Sequence, residues 1–124
     1  MTPSINRREI GQSEENRAKE YLLAKGWKFI HANFSTRWGE VDLIFKDNSS
    51  SVVFVEVKFR ASTNFIDPIY SINRAKQNRI IRAAVSFIKS RSLSGANFRF
   101  DVIIIRPTGI EHIPNAFTAR NLTL

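Results

Sequence analysis

Apolar and polar positions along the chain predict two helices and five strands. Ala18, Tyr21, Leu22 and the stem of Lys25 recur at helical spacing, which predicts a helix from about Ser13 to Lys25. Ser13 is a good N-cap with acids in the turn that follows, and Gly26 supplies a stop. Trp27–Asn33 reads as a first strand. Val41–Lys46 and Val52–Lys58 are stronger ones, and the polar cluster Asp47-Asn48-Ser49-Ser50-Ser51 between them makes them an antiparallel hairpin. Residues 66–72 read as irregular, with Pro68 as the breaker. A second helix covers roughly Ile72–Ser90, where Ile80, Ile81, Ala84 and Ile88 share one face and Arg79, Arg82 and Lys89 point away. Phe98–Arg106 is a further strand, and after a turn at Pro107-Thr108-Gly109 comes a short one near Ile110–Ile113. From Pro114 onward the pattern assigns nothing. A single α/β domain fits this order.

The hairpin carries charge where its pattern calls for apolar residues. In VVFVEVKFR (52–60), side chains alternate faces, so Phe54, Glu56 and Lys58 project together. Pairing Lys46 with Val52 sets Asp42 opposite Glu56 and Glu40 opposite Lys58, with directly paired Cβ atoms about 4.5–5.5 Å apart. A slip of one residue would separate the two acids. Two carboxylates so placed repel by about 4 kcal/mol at 4 Å and an effective dielectric of 20. Either one takes up a proton or a cation sits between them. Oxygen-only ligands suit Mg²⁺ or Mn²⁺, which polarises a phosphate and activates a water. An isolated E-x-K is most often a solvated ladder. Here Ile44 and Phe54 share the charged face, which favours a site at the rim of a buried one. Glu14 and Glu15 flank the inner stripe of the first helix, and periodicity slightly favours Glu14 as the inward residue.

Composition narrows the picture. With 124 residues, 43% of them hydrophobic and ten of them Phe, the chain has the material for one packed core. The absence of Cys excludes disulfides, thiolate metal sites and a Cys nucleophile. Apolar runs such as Val102–Ile105 are too short to span a bilayer, and no secretory-type stretch follows the N-terminus, so a cytoplasmic protein without membrane contact is expected. The first ten residues read as a flexible basic arm. Nineteen Lys and Arg against eleven Asp and Glu leave a net charge of +8, which attracts polyanions and above all nucleic acid. No Gly-rich phosphate loop, G-x-S-x-G or zinc-finger spacing competes. His31 and His112 lack ligand spacing and are expected to be structural or on the surface. Trp38, beside Gly39, has the chemistry to stack on a base, although a packing role is the plainer expectation.

An Asp on one strand followed by E-x-K on the next resembles the signature of the PD-(D/E)xK nuclease superfamily. More closely, GEVDLI (39–44), FVEVKFR (54–60), E-x-x-A-x-x-YL (15–22), the Lys76-containing helix and RFDVI (99–103) resemble the YraN-type bacterial family, which is predicted to be nuclease-like. The likeness spans about residues 11–117, leaving 118–124 as a tail. By motif order it extends to the archaeal Holliday junction resolvases. It implies a restriction-endonuclease-like α/β core, a mixed central sheet flanked by helices. Asp42, Glu56 and the Val57 carbonyl would then ligate Mg²⁺ or Mn²⁺. Lys58 would orient the water or stabilise developing phosphorane charge, and Glu15 would complete the site. The family usually has Gly-Glu where this chain has Glu14-Glu15, so Glu15 is preferred over Glu14 on the resemblance alone. Lys76 and Arg60 are implied phosphate contacts, and Gln77 a supporting polar residue or simply a Gln at the rim of the core. Asp101 in RFDVI matches the family phrase and is open to a structural role. The implied function is a metal-dependent DNA phosphodiesterase, an endonuclease on structured or branched DNA. The resolvase analogy adds a homodimer, since cutting two strands takes two sites. The alternative is a nucleic-acid-binding module with a nuclease fold and little or no catalysis.

Overall fold

The computed structural model describes residues 7–61, 72–93 and 95–119, with side chains from Gln12 onward. Its elements are α1 (Arg7–Ala24), β1 (Lys28–Thr36), β2 (Gly39–Lys46), β3 (Val52–Phe59), α2 (Arg74–Ser90), β4 (Phe98–Arg106) and β5 (Gly109–Phe117). The strands form one sheet in the order β1-β2-β3-β4-β5. Only β3 and β4 run parallel, and α2 makes the crossover that such a pair requires. This is the expected α/β domain with a mixed central sheet flanked by helices.

Side-chain alternation explains the three layers. Ile44, Phe54 and Phe100 face α2, where they meet Ile80, Ile81, Ala84 and Phe87. The residues between them, Leu43, Phe45, Val53, Val55, Ile103 and Ile105, face α1 and meet Ala18 and Leu22. β3 and β4 are thus covered on both sides, which accounts for their nearly continuous apolar runs. Among the described residues no helix is long and apolar enough to cross a membrane.

The boundaries differ from expectation in instructive ways. α1 begins at Arg7, so Ser13 lies inside the helix rather than capping it, and residues 7–10 of the expected flexible arm are helical. Arg7, Arg8 and Glu9 are good helix formers, and the helix they begin runs on through Gly11 and past the local Ser signal. Residues 1–6 of that arm and residues 62–71, including Pro68, lie outside the described residues. α1 ends at Ala24, just before the expected stop at Gly26, whose φ of 87° is left-handed, and Asn48 from the β2–β3 turn donates to the exposed Lys25 carbonyl at 3.2 Å. β1 runs three residues beyond Asn33 into a tight hairpin with β2. β5 runs past Pro114 to Phe117 because a bulge absorbs the proline on an edge strand, with Asn115 at φ 51°.

That bulge completes a buried polar knot. Asp101 is fully buried on β4 and accepts from Arg99 Nε at 3.0 Å, His112 Nε2 at 2.8 Å and the Asn115 N–H at 2.9 Å. The Lys25 ammonium can only donate, so His112 accepts it at Nδ1 (3.1 Å) and presents its Nε2 proton to Asp101. Arg99 also reaches Asp47 Oδ2 at 2.6 Å, tying in the β2–β3 turn. Both His112 and Asp101 are therefore structural. Burial works to raise the Asp101 pKa, but bonds from His112, Arg99 and Asn115 overcome it and hold the carboxyl below its ordinary value. A depressed carboxyl contributes stability above the ordinary carboxylate range and loses it as pH falls through the folded value. Asp101→Ala is expected to cost about 3–5 kcal/mol in neutral urea denaturation, and to flatten the acid limb of the stability profile. A loss below about 1 kcal/mol would show that the knot is incidental.

Candidate active site

The site grows from a defect in the hairpin. The β2–β3 register is the expected one, from Lys46↔Val52 to Leu43↔Val55, and there the ladder stops. Asp42 and Glu56 would be the next pair on the α2 face. Instead Asp42 Oδ2 accepts the Val57 backbone N–H at 2.8 Å, so a side chain takes over where strand pairing ends. Glu40 does not pair with Lys58 as expected; it lies opposite Ser35 of β1.

Glu56 is 5% exposed and sits between two ammoniums, Lys58 Nζ at 3.4 Å and Lys76 Nζ of α2 at 3.0 Å. Burial and the Glu56 charge push the Asp42 pKa up to about 8, against the pull of the single Val57 N–H. Burial, aided by neighbouring Lys76, lowers the Lys58 pKa. Lys76 moves the other way: burial opposes its charge, but the Glu56 carboxylate outweighs that and raises its pKa. Asp42, Glu56 and Lys76 open on a cavity of about 470 Å³, whose lining also includes Arg79, Trp38 and Thr36; Lys58 touches Glu56 but is not among the lining residues. An acidic floor thus meets a basic wall.

Other expected residues fall at different distances from this centre. Glu15 on α1 is near enough for its pKa to be raised, chiefly by burial and then by the Glu40 and Glu56 charges, with the Asn33 side chain opposing. Glu14 pairs with Arg17 at 3.3 Å. Glu15 does not line the cavity, and no cluster of three or more His, Cys, Asp or Glu side chains is close enough to hold a metal among the described residues. Asp42 and Glu56 are the pair that could share one. Lys76 touches Glu56, and Gln77 donates to the Ile72 carbonyl at 2.9 Å, bracing the entry to α2. Arg60 donates to the Phe59 carbonyl at 2.9 Å and is not drawn into this group.

Two features have no counterpart in the sequence reading. Asn33 lies in the middle of β1 at φ 54°, a left-handed geometry uncommon in a strand, with its side chain on Glu15. Gly39 packs so closely on α2 that a Cβ would lie 2.6 Å from the Arg79 carbonyl oxygen. The glycine that opens the acidic G-E-V-D phrase was the available signal for that approach. Trp38 is not a packing residue: it is 43% exposed, with the guanidiniums of Arg37 and Arg82 over its ring.

Comparison with known proteins agrees with the family likeness. The model of "Uncharacterised protein family UPF0102" matches residues 14–105. A UPF0102 protein of Vibrio vulnificus strain YJ016 is 43% identical over 118 residues, covering 92% of this chain and 96% of its own. One from Myxococcus xanthus is 38% identical over 117 residues, covering 91% and 92%. Among solved structures, a repair endonuclease from Pyrococcus abyssi aligns with a TM-score of 0.43 at 18% identity. The alignment covers 86% of this chain but only 40% of that one.

The Asp42 shift has a consequence for stability. Between the ordinary value of 3.8 and about 8 the folded protein holds a proton that the unfolded chain releases, so stability falls as pH rises through this window. Above about 8 the full cost of the buried charge is in force. Asp42→Asn keeps an acceptor for Val57 N–H and removes the charge. Its melting temperature should exceed the wild type's by about 4 °C or more at alkaline pH, with the gap closing toward acid. Equal melting temperatures across the pH range would contradict the assignment.

Proposed function

The chain belongs to the UPF0102 family, and from its paired carboxylates we propose that it is a metal-dependent DNA phosphodiesterase of the PD-(D/E)xK type, an endonuclease on structured or branched DNA. The observation that carries this reading is the meeting of Asp42, Glu56 and Lys76 in an open cavity, with Lys58 in contact with Glu56. The donor set fits a hard cation. Asp42, part-buried beside the Glu56 charge and driven to hold a proton, has an unmet need for positive charge, and Mg²⁺ is commonly held by one or two carboxylates with water and substrate phosphate. When bound there by Asp42 and Glu56, with the Val57 carbonyl as a further ligand, Mg²⁺ or Mn²⁺ supplies Lewis acidity and an activated water.

The chain's own residues divide the remaining work. Lys76, whose proton is held more tightly, keeps its charge and meets the substrate phosphate. Lys58, whose hold is weakened by burial, orients the attacking water and shares its proton. Glu15 acts at one remove, through a water. Arg60 steadies the nucleic-acid backbone at the end of β3, and Gln77 supports the site by bracing α2. The net charge of +8 supplies a salt-dependent grip on DNA. Two such sites in a homodimer would serve a two-stranded cut.

A second reading has one observation in its favour. Glu56 already contacts two ammoniums, and so satisfied a carboxylate also suits a nucleic-acid-binding module without catalysis. A panel of branched, gapped and single-stranded DNAs incubated with Mg²⁺ or Mn²⁺ separates the two. Asp42→Ala and Glu56→Ala are expected to reduce cleavage at least about 100-fold while leaving binding in EDTA largely intact. Robust cleavage by both variants would sink the site. Tight, EDTA-insensitive binding with no cleavage by the wild type would favour the binding module.

A further inference from the structure

Beside the acidic pair stands a feature that phosphodiester hydrolysis alone does not call for. Arg37 and Trp38 form the two-residue turn between β1 and β2, flanked by the pair Thr36↔Gly39. Such turns favour residues at positive φ, and neither Arg37 nor Trp38 has one. The turn is held instead by Thr36 Oγ1, which accepts from the Trp38 and Gly39 N–H groups at 3.1 and 3.3 Å and donates to the Gly39 carbonyl at 3.2 Å. On its other side Gly39 abuts the α2 backbone at Arg79, leaving no room for a Cβ. The indole is therefore carried on a turn fixed from two sides, yet it belongs to none of the core clusters and remains 43% exposed.

Its surroundings are cationic. The guanidiniums of Arg37 and Arg82 lie 4.5 and 5.2 Å from the Trp38 ring, and Trp38 lines the same cavity as Asp42, Glu56, Lys76 and Arg79. A flat π face among guanidiniums matches a nucleobase: the base stacks on indole, and a displaced arginine turns to the adjoining phosphate. A base inside a duplex has both faces covered by its neighbours, so only an unpaired or splayed base can use the ring.

We propose that Trp38, with Arg37 and Arg82, is a nucleobase-stacking subsite that directs this protein to nucleic acid carrying an unpaired base beside the phosphate in the acidic pocket. The proposal rests on the reading that the pocket takes a nucleic-acid phosphate. Arg37 and Arg82 act as placeholders on the indole until a base replaces one of them. Selection is then by strand structure rather than by sequence, since every base offers a π face.

Binding in EDTA, where hydrolysis plays no part, tests this directly. The probes are a uniform duplex and a gapped duplex of equal charge carrying 2-aminopurine in the gap. Trp38→Ala is expected to weaken the gapped substrate by about tenfold, to leave the uniform duplex within about twofold, and to abolish the 2-aminopurine quenching. Trp38→Phe should retain most of both effects, and melting curves check that each variant is folded. An equal loss on both probes, or no loss on either, would overturn the subsite; no loss on either, with altered sedimentation, would mark the indole as a protein contact instead. Cleavage by the wild type that depends on Asp42 would leave the nuclease reading standing in either case. Discrimination between the probes without any cleavage would instead keep the subsite and remove the nuclease.

Discussion

A single hydrogen bond governs the acidic end of the sheet: Asp42 Oδ2 to the Val57 N–H at 2.8 Å. Up to Leu43↔Val55, β2 and β3 are held by their own backbones. Beyond that point β3 continues pairing with β4 as far as Phe59, while β2 follows β1 to the Thr36–Gly39 turn. The strands part, and Asp42 spans the gap. The opening that results is the cavity, and the same bond fixes one carboxylate at its floor while Glu56 enters from the other strand. Lose that acceptor and Val57 N–H is left without the partner that a buried backbone group requires.

Among the described residues, Asp101 and Asp42 have opposite fates. Asp101 is ringed by donors from Arg99, His112 and Asn115, so its charged form is the favoured one. Asp42 has Val57 N–H and faces Glu56, so its charged form is disfavoured. One is finished by the protein itself, and its role is to hold β4, β5 and the β2–β3 turn together. The other is left wanting positive charge in a cavity open to solvent. That difference in environment, with the residue type held constant, separates the structural acid from the candidate functional one.

Much of this was legible in the chain. The alternation in Val41–Lys46 and Val52–Lys58 gave the hairpin and its register, because a polar five-residue turn and a buried face leave little freedom to slip. The apolar stripe of α2 and the continuous run of β4 were equally plain. Three things were not. A helix that starts well before Ser13 reflects the propensity of a whole segment, which no capping residue reveals. The ladder's end at Asp42 depends on one side chain competing with a backbone partner, a choice that alternation cannot express. Asn33 at a left-handed φ goes with a contact to Glu15 of α1 that nothing local records, and Gly39 signals a close approach without naming Arg79 as its partner. The choice between Glu14 and Glu15 was open on periodicity; Glu14 pairs with Arg17, while Glu15 lies near enough to feel the Glu40 and Glu56 charges.

The proposed catalysis turns on whether Asp42 and Glu56 together hold a divalent cation. Calorimetric titration of Mn²⁺ into the folded protein, without nucleic acid, addresses that question apart from any substrate. One saturable site per chain is expected for the wild type, with no detectable binding for Asp42→Asn or Glu56→Gln, each still folded by its melting curve. Undiminished Mn²⁺ binding by both variants, or none by the wild type at millimolar metal, would contradict the two-carboxylate site.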